Sequence, residues 1–332
     1  MTRLSLLGAG TVGGAFAELV AERPELGIEI SSVLVRDLNR SRVRALDPQT
    51  FTTDPAKALD ADVIVEVMGG TDLAGDLLLK ALSQGKKVIT ANKAVLAERW
   101  DEFKDSIAAG QVYFEASVMA GTPSIEPLTG VMRGSQTREI HAILNGTCNY
   151  IIGQLEAGKD YATALKEAQD LGYAEADPTL DVGGFDTAHK ATLLAKLAVD
   201  PNITWQEVKA HTKGIDSLQV STVQGAKQKG DAVRLVASVF PQAGRWQLKV
   251  RPVYLKGSHP LAKAASNRNA LYIKGDALEE VLIIGPGAGG KATASGVLAD
   301  LLKVLEGIRG PQLLKTALKA PEQVMMEGMS EL

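Results

Sequence analysis

Cysteine and histidine are scarce in this sequence of 332 residues. Its one cysteine, Cys148, cannot form an intramolecular disulfide or a zinc site, so we expect a reducing compartment, the cytoplasm. The four histidines lack the spacing of metal ligands, which argues against a zinc enzyme; they are His141, His189, His211 and His259. The chemistry of this protein is therefore expected to need neither a thiolate nor a zinc ion.

Long apolar runs and blocks of like charge are also missing. No stretch reaches the roughly 18 apolar residues of a membrane span, and residues 1–8 pass into a strand pattern without a small-residue cleavage site. We therefore expect no transmembrane helix and no signal peptide. Lys plus Arg number 36 and Asp plus Glu number 39, a net charge of −3. This balance argues against a nucleic acid or an anionic membrane as partner and favours a small molecule.

Glycine, by contrast, is abundant, with 33 residues, and several glycines stand at the ends of predicted strands. Apolar runs predict strands at 4–7, 28–35, 63–67, 87–90 and 112–115, and helical periodicity predicts helices at 14–21, 75–82 and 96–108. Strands that alternate with helices at these lengths indicate βαβ crossovers and a parallel sheet.

The pattern changes after Pro127. Helices are predicted at 150–156, 161–171, 187–199 and 205–211, and strands at 232–240, 247–255, 271–273 and 281–284. This grouping indicates an α+β second domain. A last predicted helix, at 293–305, is expected to return to the first domain.

A G-x-G-x-x-G pattern directly follows the first predicted strand and opens the first helix. It is formed by Gly8, Gly10, Thr11, Val12 and Gly13. Such glycines make a tight turn, let the backbone approach a pyrophosphate and expose helix N-terminal amides to phosphates. The alternative is a plain glycine-rich turn, but the order strand, turn, helix and strand favours a dinucleotide site.

The predicted fold class is therefore α/β, with a Rossmann-type dinucleotide-binding domain and a second α+β domain. We expect the first domain at residues 1–128, with 286–310 returning to it. The second domain, expected at 129–285, would serve substrate binding and dimerisation, and residues 311–332 would form a C-terminal tail.

Arg36 ends the second predicted strand, and Asp37 follows it. An arginine at this position suits the 2′-phosphate of NADP, whereas an acidic residue binds the ribose hydroxyl of NAD. Because Arg36 holds the strand end, we favour NADP, while Asp37 leaves NAD open. A solvated basic turn, with Arg40 and Arg42 close behind, is the alternative without a cofactor.

A second glycine-rich segment, residues 285–292, comes close to the phosphate-binding loop G-x-x-x-x-G-K-[ST]. Ala292 stands where that loop needs the hydroxyl that binds Mg²⁺. We therefore interpret the segment as a second glycine surface over the dinucleotide and argue against a nucleotide triphosphatase.

The densest polar cluster lies in residues 168–190. Asp186 and Lys190 are four residues apart at the start of a predicted helix, so they project from one face. An isolated pair of this kind is usually a surface ion pair. Here the helix continues with apolar residues nearly all round, which predicts burial and a lysine poised for proton transfer. Other carboxylates nearby are Glu175, Asp177 and Asp181.

The spacing within this cluster resembles the signature of homoserine dehydrogenases. It is carried by Ala168, Gly172, Asp177, Pro178, Asp181, Gly184, Asp186 and Lys190. The resemblance extends to the G-x-G-x-x-G pattern and to residues 90–93, 115–123, 145–147 and 287–289.

The resemblance implies reversible reduction of L-aspartate 4-semialdehyde to L-homoserine with NADPH or NADH. Lys190 resembles the lysine that exchanges a proton with the substrate oxygen, and Lys93 the second catalytic lysine, which also lies near the nicotinamide. Substrate-binding residues would be Glu175, Asp181, Asp186, Gly146 and Thr147. Gly69 and Gly289 would join the cofactor-binding residues. A structural sodium ion would lie on carbonyl oxygens of Glu115, Val118, Ala120 and Thr122, and a homodimer is expected.

Two alternatives stay open. One is another NAD(P)-dependent amino-acid or semialdehyde reductase, for which the Lys190 signature would be a coincidence. The other is a dinucleotide-sensing module without catalysis, which would need no buried lysine among carboxylates. Residues 311–332 are too few for the C-terminal ACT regulatory domain of many family members, so we expect none.

Overall fold

The computed structural model describes residues 1–43, 45–264, 266–322 and 327–332. The chain divides into two compact units. Unit 1 comprises Met1–Glu126 and Ala288–Leu313, and unit 2 comprises Pro127–Gly287 and Leu314–Leu332. Within the described residues, no helix combines the length and the apolar character needed to cross a membrane.

Strands and helices alternate in the first part of the chain. They are β1 (Thr2–Leu7), α1 (Thr11–Ala21), β2 (Ile28–Leu34), β3 (Phe51–Thr52), β4 (Val63–Glu66), α2 (Asp72–Ser83), β5 (Lys87–Thr90), α3 (Lys93–Glu98), α4 (Trp100–Ala108), β6 (Val112–Tyr113), α5 (Ala116–Met119) and α6 (Ile125–Thr129).

The rest of the chain begins with a strand and a group of helices. Its elements are β7 (Thr137–Ile143), α7 (Gly146–Glu156), α8 (Tyr161–Asp170), α9 (Thr179–Val182), α10 (Phe185–Ala198), α11 (Trp205–Ala210), α12 (Val220–Gln228), β8 (Ala232–Gln242), β9 (Arg245–Leu255), β10 (Arg268–Gly275), β11 (Glu280–Pro286), α13 (Gly290–Leu305) and β12 (Met329–Glu331).

Unit 1 is built around a parallel sheet. In the described part of the chain the strand order is β3-β2-β1-β4-β5-β6, and every neighbouring pair is parallel. Helices α1 and α13 pack against each other, and their apolar faces join the core with Leu4, Phe16, Val65, Val297 and Leu301. A fully buried leucine or phenylalanine stabilises such a core by about 2 kcal/mol. This strand order is that of dinucleotide-binding domains and confirms the predicted fold class.

Unit 2 contains an antiparallel sheet. Across the residues that the structure describes, its order is β11-β10-β7-β8-β9-β12. Helix α10 packs on β7, β8 and β9, and all but its first residue are buried. The alanines and leucines that follow Lys190 in α10 favour this position, because burial of apolar residues stabilises a core.

One central strand was not predicted, and one predicted helix is wrong. The central strand β7 was not predicted, since Thr137, Glu139 and His141 are polar residues that hide its alternation, although all three are buried. The predicted helix at 96–108 is two helices, α3 and α4, which meet at Arg99. The Arg99 guanidinium binds Asp76, Glu102 and the carbonyl oxygens of Thr71 and Asp72, and these contacts fix the break.

Candidate active site

The turn from β1 to α1 is a glycine cradle. Gly8 has φ +104°, which favours glycine, and a Cβ on Gly13 would lie 2.1 Å from the Gly8 carbonyl oxygen. A Cβ on Gly10 would meet nothing within 4 Å, so the space in front of this residue is open. Gly10 caps α1 without a side-chain hydrogen bond, and Thr11 and Val12 open the helix. The open space at Gly10 and the N-terminus of α1 fit a pyrophosphate, because the N-terminus of a helix attracts negative charge.

A second glycine surface lies beside this cradle within unit 1. Gly289, with φ +111°, caps α13, and a Cβ there would also meet nothing within 4 Å. A Cβ on Gly290 would lie 2.7 Å from Thr11 Cγ2, so the N-terminus of α13 approaches that of α1 closely. The predicted cofactor residues from both glycine segments are thus neighbours.

The ends of β4 and β5 hold a further turn. Gly69 and Gly70 both have positive φ, and the buried Glu66 carboxylate accepts hydrogen bonds from the backbone of Met68 and Gly69 and from Thr90 Oγ1. Burial raises the pKa of Glu66, and these hydrogen bonds oppose the rise.

Lys93 begins α3 just beyond β5 and is half-buried. Asn92 places it, since its side chain caps α3 at Val95 N (3.2 Å) and donates to the Gly70 carbonyl oxygen at 2.7 Å. Glu66 was not among the predicted site residues, and Asn92, within the 90–93 segment of the resemblance, had no predicted role. The sequence pattern that could have indicated both residues is a polar residue at or just after the end of a buried strand, close to a glycine pair or to the start of a helix.

Arg36 is exposed two residues beyond β2. The Asp37 carboxylate accepts from Asn39 N at 2.9 Å, and Arg42 donates to the Asp37 carbonyl oxygen at 2.6 Å. Arg42 also lies over the Phe51 ring, 4.9 Å from its centroid. The turn is therefore organised around Asp37 and Arg42, while Arg36 extends into solvent.

The Asp186–Lys190 pair predicted from the sequence forms the centre of a buried network in unit 2. Lys190 Nζ donates to Asp186 Oδ2 and to the Leu144 carbonyl oxygen, both at 2.8 Å. Each side chain is about 90% buried, which is costly for charged groups unless they are paired and hydrogen-bonded. Asn269 Nδ2 donates to the same Leu144 oxygen at 3.0 Å.

Asn145 connects this pair to Asp181. Its Nδ2 donates to Asp181 Oδ1 at 2.7 Å and to Asp186 Oδ2 at 2.9 Å. Cys148 is buried, and its thiol donates to the Asp181 carbonyl oxygen at 3.1 Å. Burial raises the pKa of this thiol, and the charges of Asp181 and Asp186 raise it further, so Cys148 is not an activated nucleophile.

The segment that carries Glu175 is anchored at both ends, and Glu175 itself is exposed. Thr147 Oγ1 donates to the Tyr173 carbonyl oxygen at 2.6 Å, and Gln169 donates to the Glu175 carbonyl oxygen at 3.2 Å. The backbone at Gly146 lies close to that of Asn267, since a Cβ on Gly146 would lie 2.8 Å from the Asn267 carbonyl oxygen. Thr147, one of the predicted substrate-binding residues, thus uses its hydroxyl proton to hold the chain next to Glu175.

The turn around α5 contains the predicted metal ligands. Glu115, Val118, Ala120 and Thr122 are all buried, and Ala120 has φ +54°. The Glu115 carboxylate accepts from three backbone amides at the start of α6, and Glu115 N donates to Asp300 at 2.8 Å. Burial raises the pKa of Asp300 to about 7. Among the described residues no group of three His, Cys, Asp or Glu side chains could hold a metal ion, so a cation here would rest on carbonyl oxygens.

The Rossmann-type sheet defines a dinucleotide-binding protein, and the buried lysine–carboxylate pair is suited to proton transfer, as an NAD(P)-dependent oxidoreductase requires. Two family models match the chain, homoserine dehydrogenase over residues 123–302 and the NAD binding domain of homoserine dehydrogenase over residues 8–115. The chain belongs to the homoserine dehydrogenase family.

Relatives and solved structures agree with this assignment. The homoserine dehydrogenase of Corynebacterium glutamicum is 36% identical over 90% of this chain and 71% of its own length, and that of Bacillus subtilis is 33% identical over 97% and 79%. A homoserine dehydrogenase structure from Thiobacillus denitrificans superposes with a TM-score of 0.86 at 32% identity, covering 96% of this chain and 79% of its own. A hyperthermophilic archaeal homoserine dehydrogenase in complex with NADPH gives 0.76 at 28% identity, covering 94% and 99%.

Proposed function

We propose that this chain catalyses the reversible NAD(P)H-dependent reduction of L-aspartate 4-semialdehyde to L-homoserine, with Lys190 as the proton-transfer residue. The observation that carries the proposal is the buried Lys190 ammonium held by Asp186 and the Leu144 carbonyl oxygen. Within the described residues these contacts use two of its three N–H bonds. The third can donate to the oxygen of an aldehyde as negative charge develops there.

The other residues divide the remaining work. The bound nicotinamide supplies or accepts the hydride. Lys93, at the start of α3, is proposed as the second catalytic lysine. Glu175, on its anchored segment, is proposed to bind the substrate ammonium, together with Asp181, because a zwitterion needs a carboxylate partner. Asp186 orients Lys190 and balances its charge.

NADP is the proposed cofactor, since the Arg36 guanidinium extends into solvent beyond β2, where a 2′-phosphate would bind. A backbone nitrogen already binds the Asp37 carboxylate, which weakens the case for NAD. The archaeal relative that was solved with NADPH supports the same choice.

A sodium ion is proposed on the carbonyl oxygens of Glu115, Val118, Ala120 and Thr122. Carbonyl oxygens suit hard cations, and these four residues are buried close together in the sequence, with a positive φ at Ala120. The Glu115 carboxylate is occupied by backbone amides, which leaves only its carbonyl for this role.

A homodimer is proposed through unit 2. Within the described residues, β11 lies at one edge of the sheet and carries four consecutive half-buried apolar residues, 281–284. An edge strand of this kind favours association with another copy. A cytoplasmic location is part of the proposal and is supported by cysteine usage, since Cys148 is the single cysteine and forms no disulfide within the chain.

One assay tests the proposed activity. The purified chain is mixed with L-homoserine and either NADP⁺ or NAD⁺, and reduced cofactor is followed by absorbance. We expect turnover with both cofactors and a higher kcat/KM with NADP⁺. Absence of turnover with both, in a chain that binds NADPH, would favour the dinucleotide-sensing alternative.

A further inference from the structure

The side-chain amide of Asn145 makes three hydrogen bonds from one buried position between β7 and α7. Its oxygen accepts from Cys148 N at 2.7 Å and caps α7, and its nitrogen donates to Asp181 at 2.7 Å and to Asp186 at 2.9 Å. The side chain is thus both a helix cap and a link between two carboxylates.

The link has an electrostatic consequence. Asp181 and Asp186 accept from one amide nitrogen, so their negative charges lie close together and repel each other. The two amide protons of Asn145 offset this repulsion. The hydrogen bond from Cys148 N to the amide oxygen fixes the plane of the amide and therefore the direction of both protons. Because the same Asp186 oxygen accepts from Lys190, the orientation of that amide also fixes where the carboxylate meets the ammonium.

We propose that Asn145 is a positioning residue, which aims the Lys190 ammonium at the substrate oxygen by holding Asp186 in place. The proposal deepens the proposed function and rests on it. Asn145 need not touch the substrate, since its contacts reach Lys190 through Asp186. Its effect therefore falls on the proton transfer and on kcat, and much less on substrate affinity.

Substitution of Asn145 can remove its hydrogen bonds to the two carboxylates while keeping its hydrogen bond at the start of α7. Serine and aspartate cap helices about as well as asparagine, so Asn145→Ser and Asn145→Asp keep the role at α7. Serine is too short to reach both carboxylates, and aspartate puts a third carboxylate where the donor stood. Asn149→Ser, on the same helix, is the matched control, because Asn149 donates to the Ser266 carbonyl oxygen and is not part of the network.

The experiment measures kcat, KM and thermal unfolding for the three variants and the wild type. For Asn145→Ser we expect a melting temperature close to that of the wild type, a kcat lowered roughly tenfold or more, and a KM for L-homoserine within about threefold. Asn145→Asp should lower kcat further, whereas Asn149→Ser should keep it.

Two results would overturn the inference: a folded Asn145→Ser variant with kcat within twofold of the wild type, or equal losses of kcat in Asn145→Ser and Asn149→Ser. A crystal structure of Asn145→Ser gives a readout that needs no activity. We expect Lys190 Nζ to leave its 2.8 Å contact with Asp186 or to share it with water. An unchanged contact contradicts the role of Asn145, whereas an inactive wild type contradicts only the proposed function.

Discussion

At the scale of single residues, burial decides what Lys190 can do. On an exposed helix, a lysine four residues after an aspartate contributes a few tenths of a kcal/mol. Here both groups are about 90% buried, and a carbonyl oxygen completes the pairing. The Lys190 amino group is therefore held in a fixed position, as the proposed proton transfer requires, at a cost in desolvation that the pairing offsets.

Replacement of Lys190 should stop proton transfer without loss of cofactor binding. We expect Lys190→Ala to lower kcat by roughly 10² to 10⁴-fold, with the dissociation constant of NADPH little changed. Steady-state kinetics and fluorescence titration measure the two effects. Lys196→Ala is the control, because Lys196 is a buried lysine of the same helix that donates to the Pro201 carbonyl oxygen. A Lys190→Ala variant with a tenth of the wild-type rate would contradict the assigned role.

Arg36 should discriminate between the two cofactors. A charge-assisted contact with the 2′-phosphate is lost in Arg36→Ala, so NADP⁺ binding should weaken by roughly tenfold or more while NAD⁺ binding is spared. Calorimetric titration with both cofactors measures the ratio. Arg42→Ala tests the turn itself, because Arg42 organises it through the Asp37 carbonyl oxygen. Equal losses for NADP⁺ and NAD⁺ in Arg36→Ala would count against a 2′-phosphate contact.

His259 should make folding stability depend on pH. Burial lowers its pKa from 6.5 to about 4, and the nearby charges of His141 and Lys274 act in the same direction. The unfolded chain therefore binds a proton at a higher pH than the folded one. The stabilisation is complete above pH 6.5 and is lost as the pH falls towards 4.

Urea unfolding at pH 7 and at pH 5 measures this effect. We expect the free energy of unfolding of the wild type to fall more than that of His259→Asn, by on the order of 1–2 kcal/mol. Asparagine retains an acceptor for Leu261 N, which His259 Nδ1 now binds at 3.1 Å. Parallel pH curves for the two proteins would show that His259 does not titrate as described.

At the scale of elements, the turn between β1 and α1 separates two roles of glycine. Gly13 is required by packing, because a Cβ there would clash with the Gly8 carbonyl oxygen. The space next to Gly10 is open and lies where a pyrophosphate would approach. The same pattern thus contains one glycine that packing requires and one that is proposed to contact the cofactor.

This difference predicts opposite results for two alanine variants. Gly13→Ala should lower the melting temperature, since backbone atoms must move. Gly10→Ala should leave it nearly unchanged but raise the KM for NADP⁺ by roughly tenfold or more. Differential scanning fluorimetry and kinetics provide the two readouts, and each variant serves as the control for the other. A destabilised Gly10→Ala with normal cofactor affinity would reverse the assignment.

At the scale of the whole molecule, the chain folds as two compact units with separate cores, and the predicted cofactor-binding residues lie in unit 1. A ligand that binds only the folded form stabilises what it binds. NADP⁺ at about a hundredfold its dissociation constant should therefore add about 2.7 kcal/mol to the stability of unit 1.

Hydrogen exchange with and without NADP⁺ measures this stabilisation. We expect slower exchange in peptides from β1 and β4, and a smaller slowing in Gly10→Ala at the same NADP⁺ concentration, because a tenfold weaker affinity leaves about 1.4 kcal/mol of the stabilisation. Protection confined to β8 and β9 of unit 2 would place the cofactor elsewhere.

The sequence by itself determined the features that local spacing encodes. The predicted family and α/β class are confirmed, and the glycine spacing and strand periodicity of residues 4–21 fixed the β1–α1 turn. The four-residue spacing of Asp186 and Lys190 placed both on one helical face. The assigned roles of the site residues stay predictions.

Only the tertiary structure decided which groups complete the site. Leu144 and Asn145 follow β7, a strand whose polar residues concealed it, and Asn269 belongs to β10. Their contacts with Lys190 and its partners span 36 to 125 residues along the chain. Periodicity reports which face of one element is buried, but it carries no information about which distant backbone atom will meet that face. Antiparallel pairing of β7 with β10, and the packing of α10 on β7, supply that information.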